Sequence, residues 1–344
     1  MMTSPYEGAP NSAFWRTAVA DRPDAIGDLY RPKFAVDKTA SVATAGSCFA
    51  QHVGRALRVL GVKVIDSEPL AARFGDAVAL RYGYRMYSAR YGNIYTTRQL
   101  AQLLEEASGL FRPADPVWKR GDRFFDAQRP AVEPDGLDSE ERVLEHRAAH
   151  LPLVLEAFSR ADLVVFTFGM TEAWIHKRDG TVYPTAPGTI AGEFDPGRHA
   201  FRNYQFGEIL ADFERAREIL KGLNPAMRFL ITVSPVPITA TASGNHVEVA
   251  NSYTKSTLRA VCGQLYASYD DVDYLPSYEA MTSQKARGRF YQDNLRTISR
   301  EGVLAAMKMF TDAQGIIADD ADAAEHRTVD DALCEEELLE AFAQ

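Results

Sequence analysis

The stretch that decides the fold is residues 41–60, which read SVATAGSCFAQHVGRALRVL. It opens with a short apolar run, residues 42–45, whose length and composition are typical of a buried strand. The chain breaks at residues 46–48 and then continues in an amphipathic helical pattern as far as Leu60. The stretch therefore predicts a strand, a sharp turn and a helix, with Ser47 on the turn.

Ser47 is the first candidate functional residue. A strand that turns into a helix places the turn residue at the carboxyl edge of a sheet and at a helix N-terminus, where free N–H groups and the helix dipole stabilise an anion. The Ser47 hydroxyl is then placed for nucleophilic attack, with its own N–H available to an oxyanion. The alternative is that Ser47 only caps the helix, as serine often does.

Composition and charge limit the class of protein. The 344 residues are 46% hydrophobic and 25% charged, which is ordinary for a globular chain with a substantial core. The net charge of −9, without a lysine- or arginine-rich run, disfavours nucleic acid and anionic membranes as partners. We expect no secretory signal and no membrane insertion, because no apolar run approaches the roughly 20 residues of a membrane span. Three widely spaced cysteines without a CxxC pair favour free thiols in the cytoplasm.

Strand and helix patterns alternate along the rest of the chain. Apolar strand patterns occupy residues 62–66, 161–169, 228–233 and 273–275, and helical patterns lie between them. The alternation predicts an α/β protein with three layers, α/β/α, around a doubly wound, flavodoxin-like parallel sheet.

The domain organisation follows from where these patterns begin and end. We expect a single α/β domain over residues 39–314, with an irregular excursion at 111–150. Residues 1–38 are expected to wrap its surface, and residues 315–344 to form an acidic helical tail. Such a tail could dock on the domain or on the second subunit of a homodimer.

The string GSCFA at residues 46–50 resembles the signature of the GSCFA family, which is named after it. Further similar stretches extend the resemblance over roughly residues 14–310. That family resembles the SGNH (GDSL-like) esterases and acyltransferases, in which the corresponding serine is the nucleophile. The resemblance therefore implies an SGNH-hydrolase-like fold and a nucleophilic role for Ser47.

Two further loops are similar to the oxyanion loops of SGNH enzymes. Gly92 and Asn93 precede a predicted helix, and in SGNH enzymes a Gly and an Asn from loops of this kind supply oxyanion donors. Asn93 is the candidate donor, and an Asn-mediated turn is the alternative. After the strongest strand, Thr171 and Glu172 stand where the GxND block of SGNH enzymes has Asn and Asp. Thr171 could donate to an oxyanion, or cap a helix.

The chain departs from the SGNH pattern at the catalytic histidine. SGNH enzymes carry a DxxH motif just before the C-terminal helix, and here Thr297 falls at the histidine and Asn294 at the aspartate. Asp293 and Arg296 are one register away, and neither register supplies a histidine. We count Arg296 among the candidate substrate-binding residues.

A base for Ser47 must therefore come from elsewhere, because an unassisted hydroxyl is a poor nucleophile. We nominate His246, which lies in a loop predicted at the carboxyl edge of the sheet. His52 is the alternative and the weaker choice, since it lies about 140° round the helix from Ser47. Glu172 or Glu279 is expected to fix the imidazole tautomer.

These residues lead to three hypotheses. The first is an acyl esterase or O-acyltransferase acting on O-acetyl groups of a carbohydrate or a small metabolite, as the SGNH resemblance implies. The second moves the nucleophile to Cys48, whose thiol pKa a helix N-terminus lowers, against the alternative of a packed cysteine. The third is a pocket that binds a sugar or an acyl group without turnover.

No bound cofactor or metal is expected. The sequence contains no nucleotide-binding motif, although acetyl-CoA or another acyl donor could serve as a co-substrate. His146 and His150 are four residues apart on a predicted helix and could face one way, as metal ligands do. No third ligand is nearby in the sequence, so we interpret both as surface histidines.

Overall fold

The computed structural model describes residues 4–22, 26–316 and 335–343. Its strands are β1 (Ser41–Gly46), β2 (Lys63–Val64), β3 (Val117–Arg120), β4 (Arg123–Asp126), β5 (Leu163–Phe168), β6 (Glu172–His176), β7 (Val182–Tyr183), β8 (His199–Asn203), β9 (Arg228–Val233) and β10 (Val272–Tyr274). Its α-helices are α1 (Phe49–Val59), α2 (Gly75–Arg81), α3 (Thr97–Ala107), α4 (Glu140–Ser159), α5 (Phe206–Leu223), α6 (Val247–Ser268), α7 (Ser277–Thr282) and α8 (Arg300–Gln314).

Five parallel strands form the central sheet, in the order β2-β1-β5-β9-β10. Numbered only within this sheet, the order is 2-1-3-4-5, which is typical of flavodoxin-like, doubly wound folds. β1 and β5 pair from Val42 with Leu163 to Gly46 with Thr167, and the strand order reverses between them. Their carboxyl ends therefore flank the crevice in which folds of this kind bind ligands.

Helices cover both faces of the sheet. Every residue of β5 is buried, as expected for a parallel strand with a layer on each face. Alternate residues of β1 enter opposite layers: Val42 packs in the layer of α1, α7 and α8, whereas Ala43 packs in the layer of α3, α4, α5 and α6. The predicted three-layer α/β/α fold with a doubly wound sheet is confirmed.

Two small antiparallel sheets stand outside the central one. β3 and β4 form a hairpin within the predicted excursion, and β6 pairs with both β7 and β8. The reading of Thr171 as a helix cap is wrong, because the next residue, Glu172, opens strand β6 and pairs with Asn203 of β8.

A buried ion network ties the excursion to the helical layer. Asp126 Oδ2, at the end of β4, accepts hydrogen bonds from Arg129 Nε at 2.7 Å and from Arg147 Nη1 at 3.2 Å. Arg147 Nε also donates to Glu106 Oε1 of α3, at 2.8 Å. Buried charges are tolerated where an opposite charge and hydrogen bonds compensate them, and this network supplies both.

His150 adjoins this network and is not a surface histidine. It is buried, and its Nδ1 lies 2.7 Å from Glu68 Oε2. Burial and the positive charge of Arg129 lower the pKa of His150 to about 4. The surface interpretation was wrong here because Glu68 lies far away in the sequence. Within the described ranges, no group of three or more His, Cys, Asp or Glu is placed to hold a metal ion.

The terminal segments pack on the domain from two sides. Near the N-terminus, the Tyr30 hydroxyl and the Lys33 N–H both donate to Asp273 Oδ2 of β10, at 2.8 and 3.0 Å. In the predicted acidic tail, residues 317–334 lie outside the described residues, and Glu335–Phe342 forms a 3₁₀ helix. None of the helices described is both long and apolar enough to cross a membrane.

Candidate active site

Ser47 lies on a tight two-residue turn between β1 and α1. Gly46 makes the turn possible: its φ is 133°, and a Cβ on it would lie 2.5 Å from the carbonyl oxygen of Thr167 in β5. Only glycine combines that backbone conformation with so close an approach. The turn therefore places Ser47 at the carboxyl edge between β1 and β5, where the strand order reverses.

The Ser47 hydroxyl is buried and makes no hydrogen bond. The residue is only 2% exposed, and its Oγ has no partner among the residues described. The capping alternative is wrong, because Cys48 occupies the N-cap position of α1 and no side chain caps that helix. Burying a hydroxyl without a hydrogen-bond partner costs about 1–3 kcal/mol of folding free energy. Such a cost is consistent with a group that binds a ligand or takes part in a reaction.

The backbone N–H of Ser47 is not available to an oxyanion, contrary to the expectation from the turn. It donates to the Thr167 carbonyl oxygen at 3.2 Å and so continues the β1–β5 ladder by one residue. An oxyanion beside Ser47 therefore needs its donors from other residues.

Gly169, just after β5, gives the Ser47 side chain its space. A Cβ on Gly169 would lie 2.8 Å from Ser47 Cβ and 3.4 Å from Ser47 Oγ. The Gly169 carbonyl oxygen accepts a hydrogen bond from Lys255 Nζ at 2.8 Å, and Lys255 is itself buried. Sequence reasoning missed Lys255, although its helical spacing with the buried Leu258 and Cys262 places it on the buried face of α6.

Asn93 presents a fixed amide N–H at the same edge. Its Oδ1 accepts hydrogen bonds from Gln51 Nε2, at 3.1 Å, and from the Tyr87 hydroxyl, which also lies 3.1 Å from the Ser47 carbonyl oxygen. Its Nδ2 donates to Glu335 Oε2 at 3.1 Å. Because a carboxylate only accepts hydrogen bonds, the amide orientation is settled at both ends. Gln51 and Tyr87 escaped the sequence analysis because neither lies in a recognisable motif.

Gly92 and Arg296 lie beside the C-terminal segment Glu335–Phe342, to which Glu335 belongs. A Cβ on Gly92 would lie 3.6 Å from Glu335 Oε1. Arg296, which is 7% exposed, pairs with Glu337 through Nη1 at 3.1 Å. The two predicted loops, at residues 92–93 and 296, therefore both contact the Glu335–Phe342 segment.

The sequence profile of the GSCFA family matches residues 41–310, which is most of the chain. The chain belongs to the GSCFA family. No curated protein matches it. The GSCFA match includes Ser47, Asn93 and Arg296, and it ends before the Glu335–Phe342 segment.

A tight turn occupies residues 294–297, where the sequence was compared with the SGNH histidine motif. Asn294 Oδ1 accepts the backbone N–H groups of Arg296, at 3.0 Å, and of Thr297, at 2.9 Å. Thr297 is half-buried, whereas Arg296 is buried. A guanidinium is always charged and binds anions, and a substrate-binding role for Arg296 stays a prediction.

The candidate base His246 is exposed and caps a helix. Its Nδ1 accepts the backbone N–H of Glu248 at 3.2 Å, at the start of α6. An Nδ1 that accepts this bond cannot donate to a carboxylate, so the expected tautomer-fixing contact with Glu172 or Glu279 is absent from this arrangement. Those two carboxylates are bound elsewhere: Glu172 to the Thr241 hydroxyl at 2.7 Å, and Glu279 to Arg259 and the Tyr274 hydroxyl.

His52, the alternative base, is buried in α1. Burial, followed by the charge of Arg55, lowers the pKa of His52 to about 4, so the imidazole is uncharged at neutral pH. Its Nδ1 has no hydrogen-bond partner among the described residues. Because Ser47 Oγ is also without a partner there, neither histidine bonds to Ser47, and a base role for either stays a prediction.

Thr171 and Glu172 hold the loops around the site together. Thr171 is fully buried, and its Oγ1 lies 3.0 Å from the hydroxyl of Thr254 in α6. Burial raises the pKa of Glu172, which accepts the hydroxyl of Thr241 from the loop before α6. Both residues therefore link the strand after β5 to α6, and an oxyanion contact by Thr171 stays a prediction.

Proposed function

We propose that this GSCFA protein is a serine-dependent acyl esterase or O-acyltransferase with Ser47 as its nucleophile. The observation that carries the proposal is the buried Ser47 hydroxyl, which has no partner among the residues described and lies at the strand-order reversal. Asn93 supports it, because its side-chain N–H is oriented by two donors to its own oxygen. Cys48 lies beside Ser47 and is buried, which favours the packed-cysteine alternative over a thiol nucleophile.

The proposed reaction forms and breaks bonds at one acyl carbon. Ser47 Oγ bonds to the ester carbonyl carbon while its proton passes to a base, and the carbonyl oxygen becomes an oxyanion that Asn93 Nδ2 stabilises. Collapse breaks the ester bond, and the leaving alkoxide takes the proton back. Water or an acceptor hydroxyl then attacks the acyl-serine in the same manner, which gives hydrolysis or transfer.

We propose a histidine as the base. The two candidates, His246 and His52, differ in the hydrogen bonds that they already make and in their basicity. His246 must first release the helix-capping bond of its Nδ1. His52 is uncharged and buried in α1, the helix that Ser47 precedes, and its Nδ1 has no hydrogen bond among the described residues to release. His52 has the weaker basicity, because its pKa is lowered to about 4.

The proposed substrates are O-acetylated carbohydrates or small metabolites of the cytoplasm, with acetyl-CoA or another acyl donor where the reaction is transfer. The second candidate function is a binding protein for a sugar or an acyl group. The observation that favours it is the lack of a hydrogen bond from Ser47 Oγ to any base among the described residues. An enzyme forms an acyl-serine, and a binding protein does not.

The test is intact-mass spectrometry of the full chain after treatment with a fluorophosphonate. We expect one adduct on the wild type and none on Ser47→Ala. The matched control is Ser234→Ala, which removes another buried serine hydroxyl at a strand end of the same sheet and should leave labelling unchanged. His52→Gln and His246→Gln then identify the base, since loss of that group slows labelling. A folded wild type that never labels favours the binding protein.

A further inference from the structure

The chain places one of its own carboxylates at the site. Glu335, at the start of the Glu335–Phe342 3₁₀ helix, is only 6% exposed although its side chain ends in a carboxyl group. Its Oε2 accepts the Asn93 amide N–H at 3.1 Å, and its Oε1 lies within van der Waals distance of where a Gly92 Cβ would stand. Asn93 is the residue proposed to receive the oxyanion, and Gly92 precedes it in the same loop.

A second carboxylate of the segment binds the other loop. Glu337 Oε1 lies 3.1 Å from Nη1 of the buried Arg296 guanidinium. The segment is therefore held at two points, by groups from two loops that are far apart in the sequence. Burying a carboxylate is strongly unfavourable unless it accepts hydrogen bonds. The bond from Asn93 therefore offsets part of the cost of burying Glu335.

Carboxylates contribute much of what holds the segment. Leu338 and Phe342, two of its large apolar side chains, remain 49% and 66% exposed, whereas Leu339 is partly buried. A competing anion can replace the hydrogen bonds that the carboxylates accept. The segment also lies beyond the part of the chain that the GSCFA profile matches.

We propose that Gly92, Asn93 and Arg296 form a carboxylate-binding subsite beside Ser47, and that Glu335–Phe342 fills it as an internal ligand. The class of ligand is a group with an anionic oxygen, such as a carboxylate or the oxyanion of a reacting ester. Glu335 occupies one of the two N–H groups of Asn93 Nδ2, so the substrate competes with Glu335 for that group and for the space beside it. This competition rests on the function proposed above, whereas the binding of the segment does not.

The first measurement is hydrogen–deuterium exchange of the backbone amides of residues 335–343 in the full chain. Glu335→Gln replaces the charge-assisted bond by two facing amides and should speed exchange in that peptide about tenfold or more. Glu337→Gln should have a smaller effect, because Glu337 is half-exposed at its pair with Arg296. Glu340→Gln removes an exposed carboxylate of the same segment and should leave exchange unchanged.

A reciprocal exchange of the pair makes the test specific. In Asn93→Asp/Glu335→Gln, the amide and the carboxylate change places, so the hydrogen bond can reform with the direction reversed. Exchange should be fast in each single variant and slow again in the double variant. Failure of the double variant to restore protection, or equal exchange in wild type and Glu335→Gln, overturns the proposal.

Fluorophosphonate labelling of the same variants then shows whether the segment masks Ser47. Glu335→Gln should label about tenfold faster than wild type, and Glu340→Gln at the wild-type rate. Slower labelling in Glu335→Gln overturns masking and makes Glu335 part of the catalytic machinery. If no protein labels but exchange responds as expected, the carboxylate subsite stands while the serine chemistry proposed above fails.

Discussion

Replacing Gly169 by alanine should both destabilise the protein and displace Ser47. The added Cβ would lie 2.8 Å from Ser47 Cβ and 3.0 Å from the Tyr95 carbonyl oxygen. Carbon atoms in favourable contact lie about 3.5–4.0 Å apart, so at least one neighbour has to move. The Tyr95 oxygen is held by two hydrogen bonds, from the N–H groups of Gly169 at 3.2 Å and Met170 at 3.0 Å.

The loss of stability can be estimated because the Tyr95 carbonyl oxygen is not free to move away from the added Cβ. Overpacking a filled site costs about 1–3 kcal/mol, and we expect Gly169→Ala to lower the free energy of unfolding by that amount. The Ser47 Cβ is fixed to its backbone, so relief of the 2.8 Å contact requires a backbone shift at Ser47 or Gly169, and the Ser47 Oγ is displaced with it. Fluorophosphonate labelling should then slow at least about tenfold, equivalent to ~1.4 kcal/mol.

The assay is urea denaturation followed by circular dichroism, together with the labelling rate under native conditions. The matched control is Gly207→Ala on α5, where an added Cβ meets nothing within 4 Å. That variant should stabilise the helix by up to about 1 kcal/mol and leave labelling unchanged. Equal or higher stability in Gly169→Ala, with unchanged labelling, would refute the close contact between Gly169 and Ser47.

Three further perturbations test the rest of the structure. Arg147→Met should lower the free energy of unfolding by about 3–5 kcal/mol, because it leaves Glu106 without its cation and Asp126 with Arg129 alone. The exposed Arg142→Met should change it by less than about 1 kcal/mol in the same urea titration. Lys255→Met should destabilise by about 1–3 kcal/mol, since it removes the buried donor to the Gly169 carbonyl, and thermal melting at fixed pH measures this. The pKa of His52 is about 4 in the folded protein against 6.5 for the free side chain, so the stability contributed by the uncharged imidazole is complete above pH 6.5 and is lost as the pH falls toward 4. His52→Gln should flatten that slope, which amounts to about 3 kcal/mol in the wild type.

The central fold could be predicted from the sequence because its signals are local. The apolar run that became β5 is continuous, as a strand covered on both faces requires, and its ends fall where the structure has them within two residues. The turn at Ser47 was likewise predicted from a glycine between a strand pattern and a helical pattern. Strand order then follows from the alternation of strands and helices, which leaves few doubly wound arrangements.

The errors have a common physical cause, which is pairing between distant residues. Thr171 was read as a helix cap from its local sequence, but β8 lies more than twenty residues further on and draws the next residues into a strand. The charged helix around His150 predicts a surface residue, but the partner of His150, Glu68, lies far away in the sequence. Local propensity does not contain such contacts, and they override it.

The candidate site was predictable to the same extent. The sequence predicts Ser47 and Asn93 at one edge of the sheet, because Ser47 follows a strand and Asn93 lies in a loop that faces the sheet edge. In the structure, the Tyr87 hydroxyl lies within hydrogen-bond distance of both the Ser47 carbonyl oxygen and Asn93 Oδ1. Gln51 and Lys255 were missed because each is an ordinary helical residue until the fold brings it to the turn. Glu335 was missed because it lies in the tail, 242 residues from Asn93.

The position of the Ser47 N–H links the proposed function to the proposed internal ligand. In most turns of this kind the backbone N–H is free to receive an oxyanion, but here Thr167 accepts it. The proposed oxyanion contact therefore falls on Asn93 Nδ2, which is the atom that Glu335 engages. Nδ2 carries two N–H groups, but a substrate oxyanion and the tail carboxylate would bring two negative charges to the same atom, so each binds less well while the other is in place. Asn93→Ala should for this reason release the tail and slow acylation together, whereas Glu335→Gln should release the tail and speed it.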